Sequence, residues 1–295
     1  MLPIKQALPK VSLIVPVYDA ERTIAECINS ILALDYPQEN LELIIVDNSS
    51  TDGTTNILEQ FSDKIKIFHE KKKGSAAARN KGILKANANI IVFTDSDCIV
   101  DREWLRHIVS PLNDERIGIV GGKILAKRPC NELEKFGEKI HDHENIIKKL
   151  KPPYVITMNW ASRQAVLKEL GLFDEKFIRG QDVDLSFRIL KKGYELVYEP
   201  KAIVYHRNEN TLLGLFLEGY AHGFNSLRII KKHKDFMKQF GYRRFNPKSY
   251  YELLSYLIGY IKDKNSHYTL YHFIFDLGKK IGKVFGSMRF FYLDI

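Results

Sequence analysis

Residues 11–61 read VSLIVPVYDAERTIAECINSILALDYPQENLELIIVDNSSTDGTTNILEQF, and in them a strand gives way to a helix twice. Val11–Val17 is almost continuously apolar, as a strand covered on both faces must be. Ala20–Leu34 then places Ile24, Cys27, Ile28, Ile31 and Leu32 on one helical stripe. Leu41–Val46 repeats the strand pattern and stops at Asp47, and the polar turn Asn48–Gly53 opens a helix running to about Phe61. Outward from there the alternation continues: Ile65–Phe68 as a third strand, Ser75–Ala86 as a helix, Ile90–Thr94 as a fourth strand ending at Asp95. The expected class is α/β, a Rossmann-like, mainly parallel sheet with helices on both faces. Such sheets bind ligands beyond the carboxyl ends of their strands, where Pro16-Val17-Tyr18, Asp47-Asn48 and Asp95-Ser96-Asp97 fall here.

Downstream the rhythm changes. A helix is expected at Glu103–Leu112 and an apolar run at Ile117–Leu125, followed by a charged, partly helical stretch, Cys130–Pro153. Tyr154–Met158 reads as a short strand, Arg163–Leu170 and Leu185–Lys192 as helices, and Ala202–Tyr205 as a strand ending at His206. Beyond Asn208 the chain is helical, aromatic and basic. The expected division is one domain over 1–207, in two parts at 1–125 and 126–207. A helical, basic extension occupies 208–295.

A chain of 295 residues that is 45% hydrophobic and 27% charged is neither disordered nor fibrous. Its net charge of +9 suits an anionic partner without choosing among nucleotide phosphates, nucleic acid and an acidic membrane face. Cys27, Cys98 and Cys130 are far apart and form no C-x-x-C pair, so reduced cytosolic thiols are expected rather than a zinc ribbon or disulfide scaffold. No signal peptide or spanning run is read, and the expected location is cytoplasmic, peripheral on the inner face of the cell membrane.

The chemistry concentrates at Asp95-Ser96-Asp97. Two carboxylates two residues apart, leaving a buried strand, can address one divalent cation beside a phosphate, although for D-x-D alone a solvated Asx-turn is the better reading. Taken with VSLIVPVYDAERTIAECINSIL, LELIIVDNSSTDGT, KGSAAARNKGI and GQDVDLSFRILKKGY, in that order, the chain resembles the family-two glycosyltransferases of the GT-A fold over roughly Val11–Arg207. The resemblance implies an inverting, metal-assisted transfer of a sugar from a nucleotide-diphosphate donor, UDP-linked, to a hydroxyl acceptor. It makes 1–207 a GT-A catalytic domain with a nucleotide-binding half at 1–125 and an acceptor-binding half at 126–207, and it assigns Pro16, Tyr18, Asp47, Arg79 and Asp95 to the nucleotide and Asp97 with Asp95 to manganese or magnesium. Gly122 falls where close approach to the donor sugar is expected, a plain turn being the competing reading. His206 matches a third metal ligand in some relatives, with a structural histidine as the equal alternative. Asp182 matches the base that takes the acceptor's proton. The acid usual before it is Gln181 here, which can still hydrogen-bond an acceptor hydroxyl. Asn159 and Trp160 match the loop lining the sugar or acceptor pocket, a core tryptophan being the competing reading.

Asp184 is expected to cap the helix that follows it. His141, His143 and Glu144 are expected in a solvated or acceptor-facing segment, and Lys71-Lys72-Lys73 in an exposed turn rather than a nucleic-acid patch. In the extension, Ile274, Leu277, Ile281, Phe285, Met288 and Tyr292 form a stripe among lysines, while Gly278, Gly282 and Gly286 recur every four residues. A membrane surface and a packing helix fit that pattern equally, the latter against this domain or a second subunit in a homo-oligomer. A membrane contact would favour a lipid-linked acceptor or cell-surface glycan precursor, extended by one sugar per encounter because no Q-x-x-R-W follows. The rival functions are a non-catalytic membrane or polyanion adaptor and, less well, a phosphohydrolase that begins with D-x-D.

Overall fold

The computed structural model describes residues 8–243, 246–264 and 266–291; Arg244 and Tyr292 lie outside them. The first half runs β1 (Val11–Val17), α1 (Ile24–Leu32), β2 (Leu41–Asp47), α2 (Thr54–Glu59), β3 (Lys66–His69), α3 (Ser75–Lys85) and β4 (Ile90–Phe93). Then come β5 (Cys98–Val100), α4 (Trp104–Val109), β6 (Ile117–Ala126), α5 (Glu132–Ile140), α6 (His143–Lys148) and β7 (Trp160–Arg163). α7 (Gln164–Glu169), α8 (Gln181–Lys191) and β8 (Glu195–His206) complete the sheet-bearing part. Four helices follow: α9 (Leu212–Lys232), α10 (Lys234–Gln239), α11 (Pro247–Lys262) and α12 (His267–Phe290).

One eight-stranded sheet has the order β3-β2-β1-β4-β7-β6-β8-β5. β3, β2, β1 and β4 are parallel, and β7 is antiparallel to both its neighbours. Side chains alternate along β1, so Leu13 and Val15 pack with α1 and α4 while Ile14 packs with α3 and α8 on the other face. Pro16 is tolerated inside this central strand because the β4 ladder has already ended at Ile14–Phe93.

Two sequence expectations are corrected. Tyr154–Met158 is not a strand: the Val155 N–H donates to Ser186 Oγ and the Ile156 N–H to His143 Nε2, so side chains take the bonds that a ladder needs. The strand is Trp160–Arg163 instead. At the other site, β8 begins seven residues earlier than expected, at Glu195, and passes through Glu199-Pro200-Lys201. There its register with β6 jumps between Gly122 and Lys123, the bulge that a proline imposes on a strand.

The glycine spacing in the extension is a helix interface. α9 and α12 run side by side in the same direction. A Cβ on Gly278, Gly282 or Gly286 would lie 2.1–2.7 Å from the carbonyls of Phe216, Tyr220 and Phe224. The facing glycines are Gly219 and Gly223, within GYAHG, where a Cβ would meet the carbonyls of Phe275 and Lys279 at 2.2 and 2.0 Å. Because backbone cannot retreat as a side chain can, Gly223→Val is expected to cost about 2–3 kcal/mol. A denaturant midpoint unchanged from wild type would rule out that close approach. Among the described residues no helix is long and apolar enough to cross a membrane.

α9 is fastened to the sheet-bearing part through a charge cluster around a buried carboxylate. Asp184 is fully buried at the fourth residue of α8, whose N-cap is Gly180, so it is not the cap expected from sequence. Its Oδ2 accepts from Arg188 Nε at 2.9 Å, and its Oδ1 lies 2.6 Å from Lys232 Nζ and 2.7 Å from His233 Nε2. Since Nε2 must donate to the carboxylate, His233 Nδ1 accepts from Lys191 Nζ at 2.8 Å. Burial would raise the Asp184 carboxyl, but its three basic partners hold it down to about 2. A lowered folded-state pKa stabilises above the ordinary carboxylate range, and that contribution is lost as pH falls toward 2. Asp184→Asn is therefore expected to lose about 3 kcal/mol near neutral pH, because Arg188, Lys232 and His233 lose the buried carboxylate they share. An unchanged urea midpoint at pH 7 would refute this.

Candidate active site

The carboxyl ends of β1, β2 and β4 meet α3, α8 and the end of β8 in one cleft. Asn48 holds one wall of it: Nδ2 donates to the carbonyls of Glu70 and Lys72, and Oδ1 accepts from the Gly74 N–H at 2.7 Å. Gly74, at φ 121°, bends the chain into α3. The β1 loop is stapled to the β2 loop, with the Thr51 N–H on Asp19 Oδ1 at 2.7 Å and the Gly53 N–H on Glu21 Oε2 at 2.8 Å. Tyr18 stands half exposed beside these loops. Asp47 is nearly buried, with Oδ1 accepting from the Ser50 N–H and Oδ2 3.2 Å from His69 Nδ1.

Arg79 rises from the second turn of α3, only 3% exposed, and its Nη2 donates to Asp95 Oδ1 at 2.6 Å. Its Nε and Nη1 are buried with no protein acceptor. Two orphaned guanidinium donors beside a carboxylate cleft are what an anionic ligand would satisfy. Asp97, its side chain 41% exposed, faces His206 Nε2 at 3.4 Å. The pairing of Cys98 with His206 across β5 and β8 sets that meeting. His206 Nδ1 donates to Asn208 Oδ1 at 2.8 Å, leaving Nε2 toward the cleft. Burial opposes the charged imidazole, but Asp97 and Asn208 prevail and push it up to about 9. Burial likewise opposes the Asp97 carboxylate, and the His206 hydrogen bond and charge bring it below the ordinary range.

Asp182 is the second residue of α8, its Oδ1 accepting from the Val183 N–H at 2.9 Å. Burial raises its pKa, against the lowering charges of Arg79 and His222. Arg79 thus touches Asp95, and its charge also lowers the Asp182 carboxyl. Gln181 is buried, its Nε2 donating to Ser75 Oγ at 2.9 Å and its Oε1 without a partner.

Other expected site residues are placed differently. Gly122 lies inside β6, not at a donor-facing turn. A Cβ there would meet the Ala202 carbonyl at 2.2 Å and the Asn159 amide at 2.5 Å. Asn159 is fully buried, with Nδ2 donating to the carbonyls of Lys123 and Ala202 and Oδ1 accepting from Trp104 Nε1. It knits β6, β8 and α4 together, with both amide donors taken and the side chain out of reach of a sugar. Trp160 is fully buried between Phe93 and Phe173, ring centroids 5.4 and 5.2 Å away, which excludes stacking on a ligand. His143 is buried rather than solvated: Nε2 accepts from Ile156 and Nδ1 therefore donates to the Gly122 carbonyl at 2.7 Å. Burial holds it neutral, down to about 4.

Glu218 and His222 on α9 were not foreseen. Glu218 Oε1 lies 3.5 Å from His141 Nε2 and 3.8 Å from His222 Nε2, and the buried His141 ring packs 5.2 Å from that of His206. Four-residue spacing of an acid and a histidine was the available signal, but nothing local tied α9 to the cleft.

A divalent cation can be tested against these groups. Among the described residues no three His, Cys, Asp or Glu side chains converge as a ligand set. Asp97, and His206 Nε2 once it gives up its proton, would supply two convergent donors of suitable hardness for manganese, while Asp95 is engaged by Arg79. The donor set therefore fits a cation whose remaining ligands are phosphate and water oxygens.

Comparison with known proteins agrees with this geometry. Residues 12–171 match the glycosyl transferase family 2 domain. Glycosyltransferase AglE of Haloferax volcanii is 34% identical over 206 residues, 68% of this chain and 67% of that protein. The alignments span about half the length or less of the next three curated relatives. A Methanococcus voltae protein is 23% identical over 75% of this chain and 74% of its own. That protein is named as a glucuronosyltransferase acting on dolichyl N-acetyl-α-D-glucosaminyl phosphate. Among solved structures, the mannosyltransferase PcManGT of Pyrobaculum calidifontis, in complex with GDP-Man and Mn2+, superposes with a TM-score of 0.68 at 20% identity. It covers 95% of this chain and 86% of its own, so the two share the GT-A fold, C-terminal helices included. On the matched domain and the relatives together, this chain belongs to glycosyl transferase family 2 and is a glycosyltransferase.

Proposed function

We propose that the cleft binds a nucleoside-diphosphate sugar and transfers the sugar, with inversion, to a hydroxyl of a lipid-linked acceptor. The observation that carries this is the arrangement about Arg79. Its orphaned donors and Asp95 form one wall, the Asp97–His206 pair continues it, and Asp182 lies within reach of the Arg79 charge. Asp182 takes the proton from the acceptor hydroxyl as that oxygen bonds to the anomeric carbon and the bond to the diphosphate breaks. Arg79 directs its free N–H groups at the phosphate oxygens, where negative charge grows. A divalent cation on Asp97 and His206 would neutralise the same leaving group. Asn48 and the stapled β1 and β2 loops keep the nucleotide wall in place before the donor arrives, so little ordering remains to be done on binding. A lipid-linked acceptor is supported by the name of the Methanococcus voltae relative.

Calorimetry with UDP and GDP, in manganese and then in EDTA, tests the donor part. One of the two is expected to bind in manganese and to weaken at least tenfold in EDTA. Failure of both to bind would remove the donor reading, and binding indifferent to EDTA would remove the metal.

A further inference from the structure

α11 is 16 residues long and buries none of them. Its inner side rests on α12, where the Tyr256 ring stacks on His272 with centroids 4.7 Å apart and Gly259 lies against Thr269. On the opposite side Tyr251, Leu254, Ile258 and Ile261 are 75%, 56%, 50% and 64% exposed. Steps of three and four residues put these four on one stripe, about 15 Å long. A helix on a water-facing surface turns its polar side chains outward, so an apolar outer stripe calls for a cover.

The charge about the stripe selects that cover. Lys248 precedes Tyr251 by one turn, Lys262 follows Ile258 by one turn, and Lys264 comes just beyond, all three exposed. The acids beside them are Glu252, 3.9 Å from Lys248, and Asp263. Residues 208–295 hold fourteen Lys and Arg against seven Asp and Glu, so seven of the nine net positive charges of the chain belong to the extension. A second copy meeting this face would bring two such positive regions together, which repel. An acidic lipid surface attracts them instead, each lysine near the headgroups strengthening binding about fivefold. Lysine stems can also lie along apolar surface while their ammonium groups reach lipid phosphates.

We propose that α11 docks the protein on an acidic lipid bilayer, with the stripe from Tyr251 to Ile261 among the acyl chains and the lysines on the lipid phosphates. At 16 residues, about 24 Å, α11 is shorter than the roughly 30 Å hydrocarbon core and lies along the surface. The docking surface stands on its own residues; only its use, bringing the cleft to a lipid-linked acceptor, rests on the transfer reading above.

Co-sedimentation of the full chain with phosphatidylcholine vesicles, with and without phosphatidylglycerol, is the first test. Wild type is expected to bind the mixed vesicles, and phosphatidylcholine alone at least tenfold more weakly. Leu254→Ser with Ile258→Ser should bind the mixed vesicles at least tenfold more weakly than wild type. Lys248→Gln with Lys262→Gln should lose about twentyfold, and the same pair changed to arginine should bind nearly as wild type. All four positions are exposed, so thermal melts should match that of wild type. Ile258→Trp sets an indole on the stripe, and its emission should shift to the blue on mixed vesicles, because Trp104 and Trp160 are fully buried and report no change. Binding to neither vesicle, binding that the serine variant retains, or an unshifted indole would overturn the proposal. So would a dimer in sedimentation velocity that the serine variant dissolves, without vesicle binding, since a second copy would then be the cover. With a lipid extract of the source cells mixed into the vesicles as acceptor, the serine variant should need about ten times more vesicle for half-maximal transfer. An unchanged requirement would overturn the delivery role and leave the glycosyltransferase reading intact. Vesicle binding needs neither donor nor turnover, so the docking stands or falls apart from the transfer.

Discussion

Replacing Asp182 with asparagine is expected to slow transfer about 10³-fold, roughly 4 kcal/mol in the barrier, with nucleotide affinity unchanged. The amide keeps the Val183 N–H hydrogen bond through its oxygen but cannot accept the proton that the acceptor hydroxyl must lose. Burial holds the wild-type carboxyl above the ordinary carboxylate range, and the base works only when ionised. Transfer should therefore fall as pH drops through that raised pKa, and this acid limb should vanish from the variant's residual rate. The stability sign is opposite. A folded-state pKa above the unfolded one means that the ionised group costs stability above that pKa, a cost relieved on protonation. Asp182→Asn should thus melt no lower than wild type at neutral pH. The rate is read as nucleoside diphosphate released from the donor chosen by calorimetry, with lipid extract as acceptor. Turnover like that of wild type would take Asp182 out of the base role.

Much of the fold was legible because buried parallel strands are nearly continuous apolar runs, and β1, β2 and β4 are such runs ending at polar residues. Asp95 and Asp97 could be placed by the same logic, since they follow a strand end, whereas Arg79, in the second turn of α3, and Asp182, in the first of α8, were singled out only by the family resemblance. What was illegible depends on distant partners. Asn159 and Trp160 have the composition of a ligand loop, yet three backbone or indole partners consume the amide and two phenylalanines enclose the indole. Gly122 looked like a close approach to a ligand and is one to Asn159 and a carbonyl. Asp184 has the residue type of a cap, but Lys232 and His233, some fifty positions away, decide its role. One interface could have been read earlier: Gly219 and Gly223 repeat the four-residue spacing of Gly278, Gly282 and Gly286, and matched stripes of that kind predict each other.

Asp97→Asn is expected to remove the metal dependence of nucleotide binding and to lower kcat/KM about 10³-fold, several kcal/mol of leaving-group stabilisation. The amide retains the shape of the side chain but not the charge, and His206 Nε2, 3.4 Å away, loses the carboxylate that holds the imidazole up near pH 9. Removing that carboxylate returns His206 toward a neutral ring, a better ligand by itself. A surviving metal site on His206 and phosphate oxygens alone would therefore show as residual manganese dependence. The expected outcome is none: EDTA should weaken UDP or GDP binding at least tenfold in wild type and leave the variant unmoved. Arg79→Lys separates the two charges of this wall. It keeps a cation near Asp95 but loses the two orphaned donors, so it should weaken nucleotide binding equally with and without metal. If Asp97→Asn kept a tenfold response to EDTA, the cation would not be held by Asp97, and Asp95, released from Arg79, would be the carboxylate to test in its place.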